Sequence, residues 1–209
     1  EIGVRLVGSE MCIRDSYTID EVTALVAMAR KHNLKTHLDG ARLFNVLVET
    51  GDATLAYGKL FDSISICLSK GLGAPVGSVL ISDAETIAYA RRIRKVMGGG
   101  MRQSGYLAAA GIYALDHHID RLKDDHERAR ACARKLESMP WVSEVFPVAT
   151  NIVIFRVADH LTGPQVATAL TARNISCLAI TDKLIRWVFH LDINDDMIRQ
   201  IEALPENIL

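Results

Sequence analysis

Cysteine is scarce in this sequence, and no two of its four cysteines have CxxC spacing. The sequence therefore gives no support to a disulfide framework or a CxxC redox motif. Two of the cysteines fall inside apolar, strand-like runs, where a small buried thiol is the ordinary expectation. The four are Cys12, Cys67, Cys132 and Cys177, and the two in apolar runs are Cys67 and Cys177. We expect a protein of the reducing cytoplasm.

Net charge is also nearly absent, at −1 with an isoelectric point near 6.7. A chain without a basic field has little to attract phosphate backbones or anionic lipid, so we expect neither nucleic acid nor a membrane as partner. No run approaches the roughly 18 apolar residues of a membrane span, and no apolar export signal follows a charged start. A small polar substrate fits this composition better.

The first 16 residues lack the periodicity of the rest. The segment EIGVRLVGSEMCIRDS does not begin with Met and resembles translated sequencing-adaptor read-through. We therefore expect residues 1–16 to be a non-native leader and leave them out of the fold prediction. The remaining chain, in a sequence with 49% apolar residues, is long enough for one domain or a domain and a half.

Alternating strand and helix patterns follow. A capping-box pair, Thr18 and Glu21, starts a helix that runs to about His32. Glycines and period-two alternation then delimit the next elements. The predicted elements are a strand at 35–39, a helix at 42–50 closed by Gly51, strands at 63–68 and 76–82, and a helix at 84–95.

One long helical stretch, from about Arg102 to Glu137, precedes the dipeptide Met139-Pro140. Strands at 152–157, 175–178 and 185–189 follow, with helices at 164–173 and 195–204. This mixture is typical of a small α+β domain. The predicted domains are therefore residues 17–138 and 139–209.

A carboxylate and an amine, Asp39 and Lys70, lie at the C-terminal ends of two predicted strands. In an open α/β sheet a crossover brings the ends of parallel strands to one edge, where ligands bind. The pair suits pyridoxal 5'-phosphate (PLP): the lysine condenses with its aldehyde, and the carboxylate keeps its pyridine nitrogen protonated. Asp and Lys are nevertheless common at strand ends, so spacing alone leaves the cofactor open.

Three blocks then resemble, in order and spacing, the low-specificity L-threonine aldolase family. They are HLDGAR at 37–42, SICLSKGLGAPVGS at 65–78 and GGGMRQSGYLAAAGIYAL at 98–115. The resemblance covers Thr18 to about Leu204 and is strongest through residue 126. It implies an α/β fold of the PLP-dependent, aspartate aminotransferase-like fold type I, N-terminally truncated. The expected parts are the C-terminal part of a large domain with a mainly parallel sheet, then a small α+β domain.

The resemblance also implies roles for the residues around the cofactor. Lys70 matches the Schiff-base lysine, with Ser69 beside it for the phosphate, and Asp39 matches the aspartate at the pyridine nitrogen. Arg42 resembles the arginine near the phenolic oxygen. An exposed loop lysine and a surface helix charge are the structural alternatives for Lys70 and Arg42.

Two more arginines are expected to bind anions. Glycines 98–100 and Arg102 are expected to offer backbone N–H groups and a guanidinium to an anion of the cofactor, across a subunit interface as in family homodimers. A flexible turn with a solvated arginine explains the same residues equally well. Arg186 matches the family arginine that grips the substrate α-carboxylate. The alternative for Arg186 is a structural ion pair. We expect His126 to be solvated in a charged helix, and we expect no metal site.

The activity implied is aldol cleavage of L-threonine, L-allo-threonine and related β-hydroxy-α-amino acids to glycine plus an aldehyde. A β-eliminating PLP lyase and a non-catalytic fragment remain alternatives. Family members carry a longer N-terminal portion with a phosphate-binding loop and a ring-stacking histidine, so we expect this chain to be a fragment that folds poorly alone. The resemblance further implies a homodimer or homotetramer.

Overall fold

The computed structural model describes residues 17–208, which form two compact units. The first unit comprises residues 17–123, and the second runs from Asp124 to the end of the described chain. The division lies inside a helix, earlier than the domain boundary predicted after residue 138, which stays a prediction. The 16 residues interpreted as a leader lie outside the described residues.

The first unit alternates helices with three strands. Its elements, in chain order, are α1 (Ile19–Lys31), β1 (His37–Asp39), α2 (Leu43–Thr50), α3 (Thr54–Leu60), β2 (Ser63–Cys67), β3 (Ser78–Ser82), α4 (Ala84–Val96) and α5 (Gly105–His117). The next helix, α6 (Leu122–Glu137), begins at its end.

The sheet of this unit has the order β1-β2-β3. β1 and β2 are parallel, as predicted, whereas β3 is antiparallel to β2. Side chains alternate between the sheet faces, and in β2 the buried Ile64 and Ile66 pack against Leu43, Leu47 and Tyr57 of the helices. The opposite face therefore carries the polar side chains of β1 and β2.

The carboxylate of Asp62 links the segments that precede β1 and β2 by hydrogen bonds. Asp62 accepts the backbone N–H of Thr36 at 2.8 Å and the ammonium of Lys35 at 2.9 Å. The pKa of Asp62 is lowered to about 2 from its ordinary value of 3.8. The larger cause is the hydrogen bond from the Thr36 backbone, and the next is the hydrogen bond from Lys35. The ionised form of Asp62 is thus the one that the fold stabilises.

Local signals in the sequence predicted most of the first unit correctly. The capping box of Thr18 and Glu21 is present at the start of α1. Gly51 ends α2 with φ of 74°, a left-handed conformation that glycine adopts at little cost. The helix α3, however, was not predicted.

The long helix predicted over Arg102–Glu137 is wrong, because the chain turns between His118 and Arg121. The N–H of Leu122 donates to the carbonyl of Ile119, at 3.0 Å, instead of continuing a helix. This turn allows Ala114 and Leu122 to enter one buried cluster with Leu72 and Ala74. Burial of apolar side chains outweighs the helical propensity of the intervening residues.

The second unit is a small α+β structure, as predicted. It contains most of α6 and then β4 (Val142–Val145), β5 (Ile152–Val157), α7 (Gly163–Thr171), β6 (Leu178–Ala179), β7 (Leu184–Val188) and α8 (Asp195–Glu202). Its antiparallel sheet has the order β4-β5-β7-β6. Side chains from the helices and from β5 and β7 form one core around Phe155 and Leu136.

Two strands of the second unit differ from the prediction. β4 was not predicted, and β6 lies later than the expected strand at 175–178. Ile175 instead follows α7, and its N–H donates to the carbonyl of Leu170 at 3.0 Å. Its side chain is buried in the core. The apolar residues at 175–178 therefore indicated burial at Ile175, not pairing in a strand.

His126 was expected to be solvated, and this expectation is wrong. The residue lies in α6 with 0% exposure, beside the equally buried Asp125. Both take part in interactions within the protein. Among residues 17–208, no helix is long and apolar enough to cross a membrane.

Candidate active site

The ends of two parallel strands carry the candidate catalytic residues. Asp39 is the last residue of β1 and lies opposite Ser65 of β2, and Lys70 follows β2 shortly after Cys67. Both side chains are exposed. The sheet topology therefore brings a carboxylate and an amine to one edge, the edge at which open α/β sheets bind ligands.

A tight turn holds Asp39 at the strand end. The N–H of Gly40 donates to the carbonyl of Ser65 at 2.8 Å, and the N–H of Ala41 donates to the Asp39 carboxylate at 3.2 Å. A Cβ on Gly40 would lie 3.0 Å from the Ser65 oxygen and 3.2 Å from the Cβ of Leu43. Only glycine fits this approach, which keeps the carboxylate at the sheet edge.

A second turn presents Lys70. The N–H of Gly73 donates to the carbonyl of Lys70 at 2.8 Å, and the N–H of Ala74 donates to the carbonyl of Leu68 at 3.0 Å. Gly73 adopts φ of 72°, which favours glycine. Among the described residues, the Lys70 ammonium has no hydrogen bond or ion pair, and Ser69 beside it is exposed. The Lys70 side chain is therefore accessible from solvent.

Arg42 lies in the same segment as Asp39, at the N-terminus of α2. Its side chain is half-buried and takes part in an interaction within the protein. A fully solvated surface charge does not describe this environment. The turn that follows Asp39 therefore fixes the position of Arg42 at the start of α2.

The glycine run before α5 is exposed to solvent. Gly98 has φ of 86°, and glycines 98–100 and Arg102 are exposed. Within the described part of the chain, Arg102 makes no hydrogen bond or ion pair. An anion site and a solvated turn both fit these observations.

Arg186 lies in the second unit, on β7. Its neighbours across the sheet are apolar: Ile154 on β5 and Leu178 on β6. The Nε atom is buried, and among residues 17–208 it finds no hydrogen-bond partner. No ion pair of Arg186 with a described residue occurs either. The structural ion pair considered as the alternative is thus absent from the described residues, and a buried N–H without a partner favours an external acceptor.

A polar cluster on the Asp39 face of the sheet was not predicted. The imidazole of His37 lies 2.8 Å from the Ser63 hydroxyl through Nδ1 and 3.4 Å from the Ser65 hydroxyl through Nε2. The alternation of β1 and β2 was the signal that could have revealed it, because His37 and Asp39 share one face. Within residues 17–208, no group of three or more His, Cys, Asp or Glu side chains could hold a metal ion.

Comparison with known proteins decides the family. The model of the beta-eliminating lyase family matches residues 14–160. The chain belongs to this family. The chain is similar to the low specificity L-threonine aldolase of Escherichia coli O157:H7, with 40% identity over 174 residues, covering 83% of this chain and 51% of that protein. The low-specificity L-threonine aldolase 1 of Arabidopsis thaliana is 38% identical over 169 residues, covering 79% of this chain and 47% of that protein.

Solved structures support the fold of this family member. A threonine aldolase from Leishmania major superposes with a TM-score of 0.73 at 22% identity, covering 90% of this chain and 56% of the other. A methionine gamma lyase from Micromonospora echinospora superposes with a TM-score of 0.65 at 17% identity, covering 86% and 58%. The expected fold type I architecture is confirmed. The chain spans about half the length of the relatives named above.

Proposed function

We propose that the protein containing this chain is a PLP-dependent lyase that cleaves β-hydroxy-α-amino acids, such as L-threonine and L-allo-threonine, into glycine and an aldehyde. The observation that carries the proposal is the parallel pairing of β1 with β2, since it puts Asp39 and Lys70 at one sheet edge. The names of the relatives that are about 40% identical support the same activity.

The residues present fit the cofactor. The amine of Lys70, which has no partner among the described residues, would bind it covalently in its deprotonated form, with the Ser69 hydroxyl near its phosphate. Asp39 has accepting capacity left for the pyridine nitrogen, because among the described residues only Ala41 donates to its carboxylate. Arg42 would stabilise the phenolic oxygen, and Arg102 would hold an anion. When bound, the cofactor supplies an electron sink for carbon–carbon bond cleavage.

Arg186 would bind the substrate carboxylate. Two parallel N–H donors fix a carboxylate in orientation as well as in position. A fixed substrate can present its Cα–Cβ bond for cleavage in preference to the other bonds at Cα. In this reaction the β-hydroxyl loses its proton, the Cα–Cβ bond breaks to release Cβ with its oxygen as the aldehyde, and Cα gains a proton to give glycine.

A second candidate is β-elimination, which the family description favours. An eliminating enzyme would use the same lysine, aspartate and arginine but would expel the leaving group from Cβ. The products separate the two: a 2-oxo acid with ammonia for elimination, and glycine with an aldehyde for aldol cleavage. We expect the second pair of products from L-threonine.

Covalent capture tests the cofactor assignment. The full-length protein is incubated with PLP, reduced with borohydride and mapped by mass spectrometry. We expect the added mass on Lys70, no adduct there in Lys70→Ala, and an unchanged Lys70 adduct in Lys59→Ala, a control at another exposed lysine of the same unit. An unmodified Lys70 in the folded wild-type protein would rule out the PLP enzyme.

We further propose self-association, as a homodimer or homotetramer, in the cytoplasm. The segment between α4 and α5, together with the first turn of α5, exposes large apolar side chains: Met97 at 81%, Met101 at 64% and Tyr106 at 89%. Apolar side chains clustered on a surface are typical of interaction sites. Sedimentation of the full-length protein tests the oligomeric state, and a monomer at micromolar concentration would contradict it.

A further inference from the structure

The turn that carries Lys70 is tied to α5 by a histidine. Nδ1 of His118 lies 2.6 Å from the carbonyl oxygen of Leu72, a residue 46 positions earlier in the chain. A carbonyl oxygen can only accept, so Nδ1 carries the hydrogen and donates it. The imidazole is half-buried, and its ring is nearly perpendicular to that of Tyr113, with the two ring centroids 5.5 Å apart.

Leu72 is one of the two central residues of the four-residue turn that starts at Lys70. The Gly73 N–H closes this turn onto the Lys70 carbonyl. The Leu72 side chain is 3% exposed and packs with Ala114 and Leu122. His118 thus holds the backbone of a residue whose side chain is already anchored, which leaves the turn little freedom to rotate.

The residue between Lys70 and Leu72 is confined as well. A Cβ on Gly71 would lie 3.0 Å from Cδ2 of Leu122 and 3.4 Å from Nδ2 of Asn45. Asn45 is itself buried. The backbone that follows Lys70 is therefore packed at Gly71 and hydrogen-bonded at Leu72, while the Lys70 side chain remains exposed.

We propose that His118 is a positioning residue for Lys70: its hydrogen bond to Leu72 fixes the turn from which the amine reaches the cofactor aldehyde. This inference rests on the proposed function of Lys70. Reaction rates depend steeply on the placement of the reacting group. Loss of the bond should therefore slow the chemistry at Lys70, while substrate carboxylate binding by Arg186 is unchanged.

Two substitutions separate positioning from a general structural role. His118 also ends α5, where its backbone N–H donates to Ala114, and any residue can make that bond. His118→Asn keeps an N–H donor at the position of Nδ1, whereas His118→Leu removes it. His117→Leu is the matched control, because His117 is the exposed neighbour on the same helix end. If His118→Leu does not fold, His118→Gln replaces it as the test variant, because glutamine moves the N–H donor from the position of Nδ1 to that of Nε2.

Hydrogen exchange of the full-length protein, followed by mass spectrometry on peptides covering residues 68–77, gives the first readout. We expect His118→Leu to speed exchange of this segment by up to about tenfold, the equivalent of one lost hydrogen bond. His118→Asn and His117→Leu should exchange like the wild type. Equal exchange in His118→Leu and wild type, or an asparagine variant as fast as the leucine variant, would overturn the proposal.

The rate at which PLP becomes trapped on Lys70 by borohydride gives the second readout. We expect a fall of roughly tenfold or more in His118→Leu, with rescue in His118→Asn, and a lower kcat at unchanged KM. An unchanged trapping rate with faster exchange would reduce His118 to a structural residue and overturn the proposal. If wild-type Lys70 is not modified at all, the proposed function fails, and the exchange result still shows whether His118 holds the turn.

Discussion

Replacing Arg186 by leucine should separate stability from activity in the second unit. The Arg186 side chain stands between Ile154 and Leu178, with a buried Nε that has no partner among the described residues. An unsatisfied buried polar group costs about 1–3 kcal/mol. Leucine removes this cost and places an apolar side chain at a position paired with two apolar residues. We expect a free energy of unfolding that is unchanged or higher by up to about 2 kcal/mol.

The same substitution should severely reduce activity. Hydrogen bonds to charged groups contribute about 1.5–3 kcal/mol each, and a bidentate contact to a substrate carboxylate contains two. Losing at least 3 kcal/mol of transition-state binding lowers kcat/KM by about 100-fold or more. L-Threonine turnover by the full-length protein measures this loss.

Unfolding of the second unit can be followed by its own fluorescence. The sequence contains two tryptophans, Trp141 and Trp187, and both are buried in this unit. Urea titration of wild type and Arg186→Leu therefore gives the change in free energy of unfolding directly.

An arginine on the adjacent strand provides the control. Arg156 of β5 pairs with Glu144 at 3.2 Å and lies over the Phe146 ring at 5.7 Å. Arg156→Leu should lose about 1 kcal/mol or less, as exposed ion pairs do, with unchanged kcat/KM. A loss of more than about 2 kcal/mol in Arg186→Leu, with kcat/KM preserved, would identify Arg186 as structural and refute the reasoning.

Three further predictions concern the fold. Gly40→Ala should lower the free energy of unfolding by about 1–3 kcal/mol, because the added Cβ would meet the Ser65 backbone. Gly58→Ala is the control and should not lower it, because nothing lies within 4 Å of a Cβ at that position. Equal urea midpoints for the two variants, measured by circular dichroism, would contradict the crowding at Gly40. Phe155→Ala, at a fully buried site, should cost about 3–5 kcal/mol by tryptophan fluorescence, and a loss below 1 would show that the core collapses around it. Asp62 has a pKa of about 2 in the folded protein, below its ordinary value of 3.8, so its contribution to stability is present above about pH 4 and disappears as the pH falls to 2. The difference in free energy of unfolding between wild type and Asp62→Asn should therefore vanish over that range. A difference that stays constant would exclude ionisation of Asp62 as its cause.

Local sequence patterns and the motif resemblance predicted the strand-end residues of the candidate site. Asp39 ends one strand and Lys70 follows another, both strands have extended or period-two character, and the glycines after the two residues mark turns. The parallel pairing of β1 and β2 then follows from the strand–helix–strand order. The hydrogen bonds of His37 and His118 were not predictable, because each joins residues brought together only by sheet register or by packing.

The sequence by itself determined the elements whose signals are local. Residues within one turn of each other start α1 through the Thr18 capping box, and Gly51 ends α2 through its own backbone conformation. Tertiary structure decided the features that depend on distant partners: the break before Leu122 and the burial of His126. A helical pattern cannot report such choices, because the free energy that selects them comes from burying surfaces far apart in the chain.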